Sequence, residues 1–333
     1  MKKTLLTICL VWMCFSLSAQ KIIDLSGKWS FSIDRQDNGE KEKWFSHTLN
    51  DFINLPGSMP EKLKGDEVTA KTQWTGSLYD SSYYYNPYME KYRKEGNIKF
   101  PFFLTPDKHY VGAAWYQKEV NIPADWKGER ILLFLERPHI ETTVWVNGQK
   151  TGMQNSLCVP HQYDITRYVR PGKCTITIRV DNRIKEINVG PDSHSITDQT
   201  QGNWNGIVGR ICLQTTPKTY FDDIQIYPEP EQKLARVKVV IKGTGTAKVK
   251  LSAESFNTDK KHIVPAIQQE IKLNKGVTET EMVLPMGNDM LLWDEFHPAL
   301  YKLKAEVTNR EKTEIKEYNS VCADLKSKVN GFM

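Results

Sequence analysis

Six runs in the first two-thirds of the chain alternate apolar and polar residues with a period of two, and no stretch sustains the 3.6-residue period of an amphipathic helix. They are KWSFSID (Lys28–Asp34), AWYQKEVNI (Ala114–Ile122), RILLFLE (Arg130–Glu136), TTVWVNG (Thr142–Gly148), CTITIRVDN (Cys174–Asn182) and RICLQTTP (Arg210–Pro217). Successive side chains of a strand leave opposite faces, so such runs bury one face and wet the other, as antiparallel sheets do. Val, Ile, Thr, Trp and Phe fill the runs, and Gly, Pro, Asn and Asp bound them. The expected fold is all-β, a sandwich.

The texture changes after Pro217. A Pro-Glu-Pro stretch at Pro228 to Pro230 reads as a hinge, and beyond it RVKVVIKG, AKVKLSAES, HIVPAIQQEIKL, TETEMVLP and LYKLKAEVTN form a second series of strands. This predicts a second, smaller sandwich of immunoglobulin-like type, with a domain boundary near Pro217. Between Gln73 and Asp107 a long segment holds Tyr83, Tyr84, Tyr85, Tyr88 and Tyr92, while Pro87, Pro101 and Pro106 exclude regular strands. So many aromatics argue against disorder. The tyrosines either stack on the apolar face of a sugar ring or pack the segment onto the sandwich.

The N-terminus MKKTLLTICLVWMCFSLSAQ combines Lys2 and Lys3, an apolar run from Leu5 to Leu17 and a small-residue exit at Ser18-Ala19, the pattern of a secretory signal peptide. That run is shorter than the about 20 residues a membrane span needs. Cys14 follows Trp12 and Met13 rather than a small residue, which argues against a lipid anchor. Cleavage near Ala19 would leave a soluble chain in the periplasm or outside the cell. The formal charge of +5 falls to +3 without Lys2 and Lys3, and bases interleave with acids throughout, which excludes a nucleic-acid patch. Cys158, Cys174, Cys212 and Cys322 lack CxxC or histidine spacing for zinc. An exported chain permits a disulfide among them, but the reading as buried small hydrophobes is favoured. No cofactor is implied.

The block from Gly112 to Asn182 carries Trp115-Tyr116, Pro123-Ala124-Asp125-Trp126, Val144-Trp145-Val146-Asn147-Gly148, Tyr163-Asp164-Ile165-Thr166, Arg170-Pro171-Gly172 and Arg179-Val180-Asp181-Asn182. It resembles the N-terminal sugar-binding domain of glycoside hydrolase family 2, the β-galactosidase and β-glucuronidase type. Leu25 to Trp29 and Leu55 to Ser58 are similar to that family's opening strand and following turn, and LLWDEFHPALYKLKAEV to its immunoglobulin-like domain. The resemblance implies a galactose-binding-like jelly roll over 20–217, an immunoglobulin-like sandwich over 218–325, and at 326–333 the start of a linker toward a (β/α)8 barrel.

In that family the barrel carries two glutamates, and retaining hydrolysis needs two carboxyls about 5 Å apart. The chain shows no strand and helix alternation long enough for a barrel, so no catalytic residue is expected in it. Asp222-Asp223 and Asp294-Glu295 read as solvated surface, and the seven histidines give no recognisable Ser/His/Asp order. The resemblance instead implies a sugar-facing loop, DQTQGNWNGIVG (Asp198 to Gly209), with Asp198, Gln199, Asn203 and Trp204 as substrate-binding residues. A carboxylate, two amides and an indole suit sugar hydroxyls and a ring face. The other reading packs Trp204 under the loop and turns Asp198 and Asn203 onto the backbone. Val208-Gly209-Arg210 follows Gly206-Ile207 where many members carry an aromatic and an Arg-Asp pair. The implied role is the non-catalytic portion of an exported β-glycosidase, partnered by carbohydrate and by the catalytic barrel. Alternatives are a stand-alone carbohydrate-binding module or a structural β-sandwich protein.

Overall fold

The computed structural model describes residues 21–76, 81–185, 193–194, 196–310, 312–320 and 322. The signal peptide expected over 1–19 and the linker expected over 326–333 lie outside the described residues. The chain divides into two compact units at Thr215 and Thr216. Among the described residues no helix is long and apolar enough to cross a membrane.

In the first unit the strands are, in chain order, β1 (Ile22–Asp24), β2 (Gly27–Asp34), β3 (Asp51–Leu55), β4 (Gly57–Ser58), β5 (Asp66–Glu67), β6 (Lys108–His109) and β7 (Ala113–Ile122). There follow β8 (Arg130–His139), β9 (Glu141–Val146), β10 (Gln149–Asn155), β11 (His161–Asp164), β12 (Gly172–Asp181) and β13 (Gly206–Thr216). One sheet runs β1-β13-β8-β11 with β4 against β13, and a second runs β10-β9-β12-β7-β2-β3. In the first sheet β1 and β4 pair antiparallel with β13 and β11 with β8, every pair of the second sheet is antiparallel, and Leu133, Leu135, Ile211 and Leu213 of the first sheet meet Tyr116, Val144, Ile176 and Ile178 of the second in one core. Every strand expected from period two in this unit is present.

The central strands depart from simple alternation, because β9 is buried at all six positions and β12 at its last six. Their outward residues are roofed by a satellite cluster in which Trp115 and Trp145 pack with Leu49, Trp44 and Phe45. Phe45 lies flat on Trp145 at 5.2 Å between centroids. Trp44 and Phe45 are half-buried against this cluster, and at about 25 cal/mol per Å² of apolar surface removed from water that contact holds the 3-10 turn Trp44–Ser46 across the sheet. The roof explains how polar residues such as Thr177, Arg179 and Asp181 come to be buried on a nominally wet face. Between β9 and β10 the turn Asn147-Gly148 has φ of 50° and 76°, the pair of positive angles that a two-residue hairpin demands.

In the second unit β14 (Tyr220–Glu229), β15 (Leu234–Lys242) and β18 (Val277–Pro285) make one sheet. Its partner runs β17 (Ile263–Leu273), β16 (Gly245–Phe256), β19 (Leu300–Asn309) and β20 (Lys312–Ser320). Strict alternation in β15 and β19 sends Val237, Val239 and Ile241 against Leu303, Ala305 and Val307. The stretch Pro228 to Pro230 is not a hinge: β14 continues through Pro228 to Glu229, and the 3-10 turn Pro230–Gln232 closes a hairpin onto β15. Proline is tolerated there because β14 is an edge strand, where a missing N–H deprives no neighbour.

The four cysteines among the described residues, of six in the sequence, are free. Cys174, Cys212 and Cys322 are buried as small hydrophobes, and burial pushes the Cys174 and Cys322 thiols up to about 11. Cys158 differs, being exposed in the connection after β10. Asp222 and Asp223 lie exposed at the bulge of β14, and Asp294 accepts from the Phe296 and His297 backbone N–H groups in an exposed turn.

Candidate functional site

The connection from β12 to β13 returns to the sandwich at residues 196–205. Its first turn is closed by backbone bonds from Thr200 and Gln201 N–H to the Thr197 carbonyl. Asp198 then clamps it. One carboxylate oxygen accepts from the Thr75 backbone N–H at 2.6 Å, the other from the Asn203 N–H at 2.5 Å, and the Asp198 N–H donates to the Thr75 carbonyl at 3.1 Å. Bonds to an ionised acceptor are stronger than neutral ones, so this side chain ties the loop to residue 75, across 123 positions of sequence.

Three asparagines extend the clamp inward. Asn203 donates both amide hydrogens, to Thr75 Oγ1 at 3.0 Å and to the Asn182 carbonyl at 3.1 Å, and its oxygen accepts from Asn182 Nδ2 at 3.0 Å. Asn182 in turn donates to the Tyr110 carbonyl and accepts from the Gly112 N–H, both at 2.8 Å. Asn205 donates to the Gly112 and Val180 carbonyls and accepts from the Tyr116 hydroxyl at 2.8 Å. These amides satisfy backbone groups where β7 and β12 end, which would be costly to bury unpaired. Gly206 then enters β13 with φ of 146°, so close to the Gly57 carbonyl that a Cβ would lie 2.5 Å from that oxygen.

Of the four residues expected to face sugar, Asp198 and Asn203 are 3% and 4% exposed and turn into the protein. Gln199 and Trp204 are half-buried. The Gln199 carbonyl accepts from the Phe103 N–H at 3.3 Å, bringing the tyrosine-rich segment to the loop. Trp204 stacks on His139 with centroids 4.6 Å apart and planes at 19°. Burial pushes the His139 imidazole down to about 4, against the opposing influence of the nearby Asn203 side chain. Within the tyrosine segment, Tyr83 is buried against Phe100 at 4.6 Å, whereas Tyr85 and Tyr88 are 72% and 85% exposed. Tyr83 thus packs the segment, while Tyr85 and Tyr88 stand free of the core.

Next to Asn182, the end of β12 carries a charged knot. Asp181, wholly buried, accepts from Arg179 at 3.0 Å, Arg183 at 2.5 Å and Lys185 at 2.8 Å. Asp37 bridges Arg179 and Arg183, and Glu141 pairs with Lys185 at 3.0 Å. Burial alone would raise the Asp181 carboxyl, but Arg183, Lys185 and Arg179 hold it well below the usual carboxylate range. A polar cleft of about 530 Å³ opens beside the knot, lined by Asp34, Asp37, Asp66, His109, Tyr110 and Arg183 among others. Among the described residues no group of His, Cys, Asp and Glu is placed to hold a metal ion.

Sequence reasoning missed Thr75, His139, Asn182 and Asn205. Asn182 closes the Arg-Val-Asp-Asn motif and reads in the sequence only as a strand end, Asn205 lies within the loop 198–209 without a signal of its own, and nothing in the local pattern singles out Thr75 or His139.

Residues 22–217 match the family described as "Glycosyl hydrolases family 2, sugar binding domain", and residues 219–321 match "Glycosyl hydrolases family 2". The human β-glucuronidase is 24% identical over 319 residues, covering 86% of this chain and 41% of the relative. A β-galactosidase of Clostridium acetobutylicum is 24% identical over 295 residues, covering 86% of this chain and 29% of the relative. Among solved structures, the β-glucuronidase of Ruminococcus gnavus in complex with uronic isofagomine superimposes with a TM-score of 0.58 at 18% identity, over 91% of this chain and 45% of that one. The chain thus spans less than half the length of these relatives.

Proposed function

Because the chain belongs to family 2 of the glycosyl hydrolases, we propose that it supplies the sugar-binding and immunoglobulin-like domains of an exported β-glycosidase. In this reading the loop 198–209 is one wall of the sugar pocket, and a catalytic barrel provides the other wall and the two carboxyls of the reaction. The observation that carries it is the clamp: a polar loop rigidly tied by Asp198 and Asn203 keeps a half-buried indole and amide, Trp204 and Gln199, at a fixed place. A preorganised loop loses less entropy on binding than a free one.

The four loop residues divide the work. Trp204 offers a ring face and Gln199 an amide to sugar hydroxyls. Asp198 accepts one bond on each oxygen from the chain, which leaves lone pairs for a sugar hydroxyl as well. Asn203 has its amide fully engaged and serves by setting the loop's geometry. Export to the periplasm or beyond rests on Lys2, Lys3, the apolar run and Ser18-Ala19.

The complete gene product is expected to hydrolyse at least one of the 4-nitrophenyl β-D-glucuronide, galactoside and mannoside with retention of configuration. Nitrophenol release reads the hydrolysis, and the anomer first formed, seen by proton NMR, reads the retention; no release from any of the three would overturn the reading.

A further inference from the structure

We propose that His139 is a positioning residue for the sugar-facing loop, its imidazole stacked on the Trp204 indole so as to fix the direction in which that indole is presented. This rests on the reading of the loop given above.

The placement of the two rings is set from both sides. His139 is the last residue of β8, and the next residue is held by the Ile140 N–H on the Asp181 carbonyl at 3.2 Å and by the Ser156 N–H on the Ile140 carbonyl at 3.3 Å. Trp204 is flanked by Asn203 and Asn205, each anchored by side-chain bonds to the sandwich. With both backbones fixed, the freedom left to Trp204 is rotation about its side-chain torsions. A ring 4.6 Å away and only 19° from parallel restricts that rotation, and it does so on one face. The rest of the half-buried indole remains for a ligand.

The choice of histidine is chemically specific. A leucine would fill the space, but it offers neither a flat face nor an N–H. The imidazole also lies beside the Asn203 side chain, the amide that follows Asp198 in the clamp. The groups acting on His139 are burial and Asn203, with no charged side chain among them, so the ring is neutral at physiological pH.

Two measurements test this. In the 333-residue chain, the Trp204 indole N–H resonance, assigned through Trp204→Phe, is expected to shift and broaden in His139→Ala and to keep its position in His139→Phe, which preserves a flat ring. In the complete gene product, His139→Ala is expected to raise KM about tenfold with kcat within about threefold, and His139→Phe to restore most of that loss. An unchanged Trp204 resonance in His139→Ala, or a raised KM that His139→Phe does not rescue, overturns the positioning role. If Trp204→Ala raises KM while His139→Ala does not, the positioning role alone fails. If Trp204→Ala leaves KM unchanged, the loop reading on which it rests is what fails.

Discussion

Asp181→Ala is expected to destabilise the first unit by about 3–5 kcal/mol at neutral pH, the usual consequence of removing one partner from a buried ionic group. Asp181 is the point on which Arg179, Arg183 and Lys185 converge, and its side chain is 0% exposed. Without it three cations face only Asp37 and Glu141; water can reach Arg183 and Lys185, which are 36% and 37% exposed, but hardly Arg179, which is 9% exposed. An exposed ion pair would cost about 0–1 kcal/mol instead, which sets the alternative against which a urea titration decides.

The pH dependence adds a second reading of the same side chain. The Asp181 carboxyl titrates below its ordinary value of 3.8 in the folded chain, so between the two values the unfolded chain binds more protons. Its contribution is complete above about pH 4 and declines as the pH falls through the folded value. Wild type should therefore lose stability more steeply than Asp181→Ala on acidification below about pH 4. Parallel curves for the two proteins would show that the knot is not what stabilises this end of β12.

Asp198→Ala should release the loop rather than unfold the domain. Two amides, of Thr75 and Asn203, lose charge-assisted acceptors, at a cost of about 3 kcal/mol for the pair. The expected readout is faster hydrogen exchange at those two N–H groups, by about 100-fold, with little change at β7 or β12. Asp198→Asn is not a rescue. Each carboxylate oxygen faces an N–H, so the NH2 of an asparagine would oppose one of them donor to donor. Exchange unaltered in both variants would mean that the clamp is made by the asparagines alone.

The strands were legible because their signal is local: alternation and turn residues lie within ten positions of each other. Elements whose reasons are distant were not. β14 passes through Pro228, which reads as a break until its edge position is known. Cys158 has the composition of a buried cysteine but follows a hairpin that leaves it outside. At the loop, the family resemblance pointed to Asp198, Gln199, Asn203 and Trp204, and the direction of each side chain did not follow from it. An aspartate accepts equally well from a sugar hydroxyl and from a backbone amide. What turns Asp198 inward is Thr75, and what meets Trp204 is His139, neither of which is near it in sequence. The buried face of β12 has the same origin: Arg179 and Asp181 sit at positions that alternation assigns to solvent, and the Trp44–Phe45 roof encloses that face.

The most direct test of the central claim is a crystal structure of the complete gene product with a monosaccharide from its own hydrolysis bound. The account predicts the sugar ring in contact with Trp204, carbon to carbon within about 4 Å, with Asp198 still bonded to the Thr75 and Asn203 amides. A sugar held with residues 198–209 out of reach would contradict it.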